Sequence, residues 1–334
     1  MRKPEWFEKD GEKWRCLLCP RGCTWDADST SIGFCRVRGV KNGVPYLPGY
    51  GGCVSLSIDP IEKKPLYHFL PGSSIFSTGP AGCNMSCDFC QNWSISQKNN
   101  VPVRYVSPPD LALMAMSSGS VGIAYTYTEP SIWYEYIYDS APLVREKGGV
   151  SVMVSNGMIN PEPLRELIGI IDAWNIDLKS WSDEFYTEHC AGSLPTVLNT
   201  LKILADSECH LEVTFLVIPG ENDIPDEWKK MADWLAHECG DDTVLHISRY
   251  FPRYKLKSHP TPVETLIHAK EVFSEKLNFV YLGNVGLDSG NIICPSCSNL
   301  CVSRAGIEVN TDGMNKGLCR VCGRDLNLIY EIIR

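Results

Sequence analysis

The chain has 334 residues, 44% hydrophobic and 21% charged, which are ordinary values for a soluble globular protein and enough for one large α/β domain with small appendages. A net charge of −9 argues against non-specific nucleic-acid binding, and no apolar run is long enough to span a membrane. The outlying feature is sixteen cysteines, which form three clusters and leave only Cys53, Cys190, Cys209 and Cys239 outside them. C-x2-C pairs in a chain of this size, with no signal peptide in view, fit metal ligation in a reducing cytoplasm better than a disulfide scaffold. Of the four outlying thiols, Cys190, Cys209 and Cys239 are expected to be quiet core or surface groups.

Residues 1–50 read as a small cysteine-rich, metal-binding lobe. Cys16, Cys19, Cys23 and Cys35 stand among glycines and short strand-like segments. Four thiolates suit zinc or a second iron–sulfur cluster, and their spacing does not choose between them. The stretch 51–72 contains Asp59-Pro-Ile-Glu62-Lys63-Lys64-Pro-Leu-Tyr67-His68-Phe69, a charged turn beside an aromatic patch. It reads as a surface connector, with His68 a packed residue rather than a ligand.

The apolar run Ser74–Thr78 is followed by Gly79-Pro-Ala-Gly-Cys83-Asn-Met-Ser-Cys87-Asp-Phe89-Cys90-Gln-Asn-Trp93. A C-x3-C-x2-C loop points three thiolates at one centre. Three thiolates leave one iron of a [4Fe–4S] cluster without a protein ligand, and such an iron is free to hold a substrate. Zinc usually takes four ligands, and this loop offers no fourth Cys or His.

Between Ser74 and about Gly290, strand-like and helix-like segments alternate. Strands are predicted at Ser74–Thr78, Val121–Tyr127, Val150–Val154, Ala173–Leu178, Leu211–Val217, Val244–Ser248 and Phe279–Leu282, with helices at Pro109–Met116, Ser131–Glu146, Asp226–Cys239 and Pro262–Leu277. This alternation implies parallel strands with right-handed crossovers. A barrel or partial barrel fits better than an open doubly wound sheet, because no Gly-x-Gly-x-x-Gly follows the first strand. The unusual polar residues all sit at the C-terminal ends of predicted strands or just beyond them: the three cysteines, Thr128-Glu129-Pro130, Ser155-Asn156-Gly157, Asp177 with Lys179, Pro219–Asn222, Arg249-Tyr250 and Gly283-Asn284. Barrel enzymes build their sites at that face, so one shared site is expected. Arg249 is a candidate grip for a carboxylate or a substrate anion; a solvated loop rim is the plainer reading of its segment. Residues 51–290 thus form the expected core.

The tail, 291–334, carries Cys294-Pro-Ser-Cys297 and Cys319-Arg-Val-Cys322 around a short β-like stretch. Two such knuckles resemble a zinc ribbon, which leaves Cys301 surplus.

The C-x3-C-x2-C loop with Phe89 before its last cysteine resembles the radical S-adenosylmethionine (SAM) enzymes. The Asp59–Phe69 phrase, the cysteine lobe before it and Gln91-Asn92-Trp93 resemble, over nearly the whole chain, the narrower AmmeMemoRadiSam proteins, related to pyruvate formate-lyase activating enzymes. The resemblance implies a radical SAM partial (β/α) barrel and a cytoplasmic oxidoreductase. Its [4Fe–4S] cluster, on Cys83, Cys87 and Cys90, would cleave SAM reductively to a 5′-deoxyadenosyl radical. Glu129 would face the SAM amino group, with Tyr127-Thr128 standing where relatives carry Gly-Gly. Ser155 and Asn156 would lie on the ribose side. Asp177-Leu178-Lys179 matches a segment whose Asp helps bind a monovalent cation, although Val154 occupies a position that is acidic in those enzymes. Helix capping by Glu129 and an Asp177–Lys179 ion pair are the structural alternatives. A low-potential donor of flavodoxin or ferredoxin type and a protein substrate or AmmeMemoRadiSam partners are implied. A small-molecule substrate, or a non-catalytic iron–sulfur and zinc protein, are the other readings.

Overall fold

The computed structural model describes residues 2–26, 28–286, 290–306 and 308–332. Eight strands form the central sheet: β1 (Leu56–Pro60), β2 (Ser74–Thr78), β3 (Gly122–Tyr125), β4 (Val150–Ser155), β5 (Ala173–Asp177), β6 (His210–Val217), β7 (Val244–Arg249) and β8 (Phe279–Gly283). They lie in sequence order; β2 to β8 are all parallel, and β1 runs antiparallel to β2 at one edge. The two edges, β1 and β8, do not pair with each other, so the sheet is an unclosed barrel.

The crossovers are α1 (Pro108–Ser117), α2 (Tyr134–Glu146), α3 (Pro161–Ile168), α4 (Leu194–Ala205), α5 (Pro225–Glu238) and α6 (Val263–Ser274). Their starts have local causes. The Ser107 and Ser193 hydroxyls accept the amides of Asp110 and Thr196, and proline occupies the first turn of α1, α3, α4 and α5. Each helix buries one stripe on the sheet: in α5 it is Trp228, Met231, Ala232 and Leu235. All seven parallel strands appear where the sequence puts them, with β3 shorter at both ends than Val121–Tyr127. Helices α3 and α4 were not foreseen.

The segment 61–72 is not a surface connector. It plugs the gap between the two sheet edges, with Ile61, Leu66, Phe69 and His68 all buried. The amides of Tyr67 and His68 donate to Glu212 of β6 at 2.9 and 2.8 Å, and the His68 ring bonds Tyr281 Oη of β8 at 2.7 Å and Leu326 O at 2.8 Å. His68 is therefore a packed residue, as expected. Burial pushes its pKa down to about 3.

The first fifty residues form two small antiparallel sheets, and the tail adds a three-stranded sheet and a short hairpin. The tail's Ile292, Cys294, Val302, Leu326 and Leu328 share an apolar core with Val244 and Phe279 of β7 and β8. The expected core–tail boundary adjoins residues 287–289, outside the described residues.

Candidate active site

The loop after β2 is held against its surroundings at two glycines. A Cβ on Gly79 would stand 2.0 Å from Thr126 O, and one on Gly82, at φ +127°, would stand 2.0 Å from Cys35 O. Only glycine permits both approaches. Beyond them Cys83 and Cys87 are buried and Cys90 is half-buried. Burial pushes the Cys83 thiol's pKa well up, with the Glu129 charge adding to it, and burial raises Cys90 as well. Cys87 moves the other way, chiefly because the Cys190 thiol donates to it. Cys190 is not a quiet thiol: its carbonyl also accepts the Ser86 amide at 2.8 Å. It reaches the loop through a wide helical turn, Tyr186–Cys190, that no local spacing announces.

Glu129 lies next to Cys83 and is fully buried. Its Oε1 accepts the Ser131 amide at 2.9 Å and the Ser155 hydroxyl at 2.8 Å, and its Oε2 accepts the Asn156 amide at 2.7 Å. The Ser131 contact caps the short helix Pro130–Trp133, so the capping role exists. It is not the whole role, because the same carboxylate fixes the end of β4. Asn156 in turn reaches Cys83 Sγ at 3.5 Å and Asn84 Oδ1 at 3.0 Å. Burial raises the Glu129 pKa, since its three donors are neutral and no cation pairs with it among the described residues.

Tyr127 takes φ +75°, the conformation that glycine would adopt freely. Its hydroxyl, 2.5 Å from Ser57 Oγ and 3.4 Å from Asp59 Oδ2, holds it there. The Thr128 hydroxyl donates to Pro80 O at 2.7 Å, tying β3's end to the cysteine loop.

Asp177 and Lys179 form an ion pair at 3.0 Å. Burial acts to lower the Lys179 pKa, but Asp177, Cys87 and Cys190 outweigh it and hold the amine well above its ordinary value. Phe89 packs against Phe185 with ring centres 5.8 Å apart. Arg249 stands apart from this group: its Nε donates to Thr261 O at 2.8 Å and its guanidinium lies over Phe251. From the same segment Lys255 reaches the loop instead, pairing with Asp88 at 3.0 Å, while Tyr254 stacks on Trp93 at 5.2 Å. A cavity of about 1020 Å³ opens on the barrel's unclosed flank, lined by Tyr67, His246, Ser248, Gly283, Asn284 and Arg304.

Cys294, Cys297, Cys319 and Cys322 gather in the tail with all four sulfurs within 4.8 Å of one another. Sγ pairs stand at 3.5 Å (Cys294–Cys322) and 3.6 Å (Cys297–Cys319). Four bonds of about 2.3 Å to one tetrahedral ion place sulfurs ~3.8 Å apart, so this set fits a single metal ion. No other group of three or more Cys, His, Asp or Glu among the described residues closes to that distance. The Cys83 set is accordingly wider. That suits thiolates that each bind a different iron.

The model of the Radical SAM superfamily matches residues 79–235, which include the three-cysteine loop, Glu129, Asn156 and Lys179. The chain carries a radical SAM superfamily domain. It is 41% identical over 338 residues to the uncharacterized protein MJ0808 of Methanocaldococcus jannaschii, covering 98% of this chain and 100% of that protein. It is 23% identical over 190 residues to the pyruvate formate-lyase 1-activating enzyme of Escherichia coli, covering 55% and 76% of the two chains. A radical SAM methyltransferase from Sphaerobacter thermophilus shares the fold, with a TM-score of 0.50 at 11% identity over 63% of this chain and 68% of that one. The domain implies a [4Fe–4S] cluster and SAM. The donor set fits both: three cysteines in one loop, and a buried carboxylate beside them with no charged partner. No helix among the described residues is long and apolar enough to cross a membrane.

Proposed function

We propose that the protein holds a [4Fe–4S] cluster on Cys83, Cys87 and Cys90, binds SAM against it, and removes a hydrogen atom from a substrate at the open flank of the barrel. When bound, cluster and SAM supply one-electron reductive cleavage of the sulfonium to methionine and a 5′-deoxyadenosyl radical, the electron coming from a low-potential flavodoxin- or ferredoxin-type donor. The observation that carries this reading is Glu129, a fully buried carboxylate beside Cys83 whose donors are all neutral.

Each residue has a positional task. Glu129 orients the SAM amino group through a charge-assisted hydrogen bond. Ser155 and Asn156, fixed by Glu129, present the ribose side, and Thr128 anchors the loop through Pro80. Lys179 offsets thiolate charge at Cys87 and also pairs with Asp177, which speaks against the monovalent-cation role that the resemblance gave Asp177. Phe89 and Phe185 exclude water from the loop. Arg249, bound only through Nε among the described residues, keeps its remaining nitrogens for a carboxylate. The tail cysteines hold zinc structurally, because thiolate tetrahedra are the usual home of that ion.

A protein substrate, by analogy with the activating enzymes, is our leading reading, and a small molecule in the flank cavity is the other. Placement among the AmmeMemoRadiSam proteins and in the cytoplasm belongs to the same proposal. The test is anaerobic reconstitution with iron and sulfide, reduction, and assay for 5′-deoxyadenosine. Formation that requires SAM and reductant is expected. Its absence from protein with a full cluster complement would refute the reading.

A further inference from the structure

The N-terminal cysteines form a site of their own. Cys16, Cys19, Cys23 and Cys35 line one small cavity, together with Leu18, Trp25, Ile132, Arg21 and Arg38. The turn that presents them is ordered by backbone bonds from Cys16 N to Cys23 O at 2.9 Å and from Gly22 N to Cys19 O at 3.2 Å. The lobe is also clamped to the barrel: Asn160 bonds Leu17 O through its side chain at 2.6 Å and Leu18 O through its amide at 3.0 Å. Four sulfurs facing one cavity in a rigid lobe are a ligand set. The question is for what.

The tail provides an internal standard. Both sets contain a C-x2-C pair, yet only the tail sulfurs close to within 4.8 Å of one another. The lobe's four line a common space without closing on one point. A single tetrahedral ion requires the closed arrangement; a cubane, in which each thiolate binds a different iron, requires the open one. Charge marks the cavity as a metal site without choosing the metal: Arg21 has no carboxylate partner among the described residues and lies on the cavity wall, where it would offset the negative charge of either centre. Four thiolates around a cluster carry net negative charge that a neighbouring guanidinium offsets.

We propose that Cys16, Cys19, Cys23 and Cys35 ligate a second [4Fe–4S] cluster, immediately beside the loop that carries Cys83. Its place follows from two contacts. Arg21 donates through Nε to Asn84 O and through Nη2 to Ala191 O, the neighbours of Cys83 and Cys190. On the other side Cys35 O presses on Gly82, the residue before Cys83. One peptide link, ~3.8 Å between Cα atoms, separates that contact from a ligand of the first cluster.

The inference rests on the Cys83 site also holding a cluster, so the experiment separates the two. Iron, sulfide and zinc are measured after anaerobic reconstitution of the full chain, of a Cys83→Ala/Cys87→Ala/Cys90→Ala variant, and of Cys16→Ser and Cys35→Ser variants. Two cubanes give about eight irons per chain in the parent and about four in each variant set. Retained zinc reports that the variants are folded. In reduced parent protein the paramagnetic resonance spectrum shows broadening from two interacting centres, and this collapses to a simple signal in every variant. Four irons in the parent with none in the triple variant would overturn the second site and leave the first standing. Four in the parent with four in the triple variant would support the second and remove the first. A lobe that takes up zinc in place of iron would overturn the proposal outright.

Discussion

Glu129 and Glu212 are both fully buried, and they are held in opposite ways. Glu129, at the strand ends, accepts only two amides and a hydroxyl, and burial raises its pKa. Glu212, within the barrel, accepts two amides and also His210 Nε2 at 3.0 Å and His246 Nε2 at 2.6 Å. Burial alone would raise its pKa too, but the bonds and charges of the two histidines overcome burial and hold it well below the carboxylate range. A buried charge whose partners are all present is part of the scaffold. A buried charge that lacks one marks a place for a ligand. The contrast separates floor from site without recourse to the family.

The largest effect that would break this contrast lies at the cysteines. Each of Cys83→Ala, Cys87→Ala and Cys90→Ala is expected to reduce 5′-deoxyadenosine formation to background, with iron lost from that site; full activity in all three would remove the site. Next comes the scaffold. Glu212→Ala strands two histidines and the amides of Tyr67 and His68, and is expected to cost about 3–5 kcal/mol, seen as a lowered Tm or insoluble protein. A stable Glu212→Ala protein would mean that the network is dispensable.

Acid sharpens the comparison further. His68 is held neutral down to about pH 3 when folded but takes a proton below its ordinary pKa of ~6.5 when unfolded, so the unfolded chain binds more protons in that window. Glu212, depressed in the fold, acts in the same direction at lower pH, its contribution being lost as pH falls from the ordinary carboxylate range toward its folded value. Stability should therefore fall as pH drops below ~6.5, by about 1.4 kcal/mol from His68 alone at pH 5.5. Denaturant melts at pH 7.5 and 5.5 measure it, and a flat profile would contradict the burial of a neutral His68. The smallest effect is expected at Tyr127→Gly. Relief of a left-handed tyrosine, about 1–3 kcal/mol, opposes the lost hydroxyl bonds and the added freedom of the unfolded chain. A net change within about 1 kcal/mol should follow, again read from denaturant melts.

Much of this was legible in the sequence because it depends on short-range pattern. Seven strands announced themselves by apolar runs, and the polar residues after them fall on one face because parallel strands share a direction. The plug 61–72 was misread because Asp59, Lys63 and Lys64 look solvated. Lys64 is in fact buried and paired with Asp59 at 2.9 Å, while Ile61, Leu66 and Phe69 point inward. Cys190 lies about a hundred residues from Cys87, and only the crossover and its wide turn bring them together. Nothing local in the sequence says that Lys255 meets Asp88. The tail's two C-x2-C knuckles point to zinc from spacing alone, whereas the lobe's single C-x2-C leaves its metal open until the separation of the sulfurs in space is seen.

The most direct measurement is SAM affinity of Glu129→Gln against the parent, by anaerobic calorimetry at matched iron content. The substitution keeps the size and an oxygen for Ser131 and Ser155 but sets an amide donor toward the Asn156 amide, so a modest fall in Tm is expected as well. Loss of a charge-assisted bond, about 1.5–3 kcal/mol, should weaken SAM binding on the order of tenfold to a hundredfold in protein that is still folded and cluster-loaded. Unchanged affinity together with a lowered Tm would reduce Glu129 to a helix cap and contradict the site.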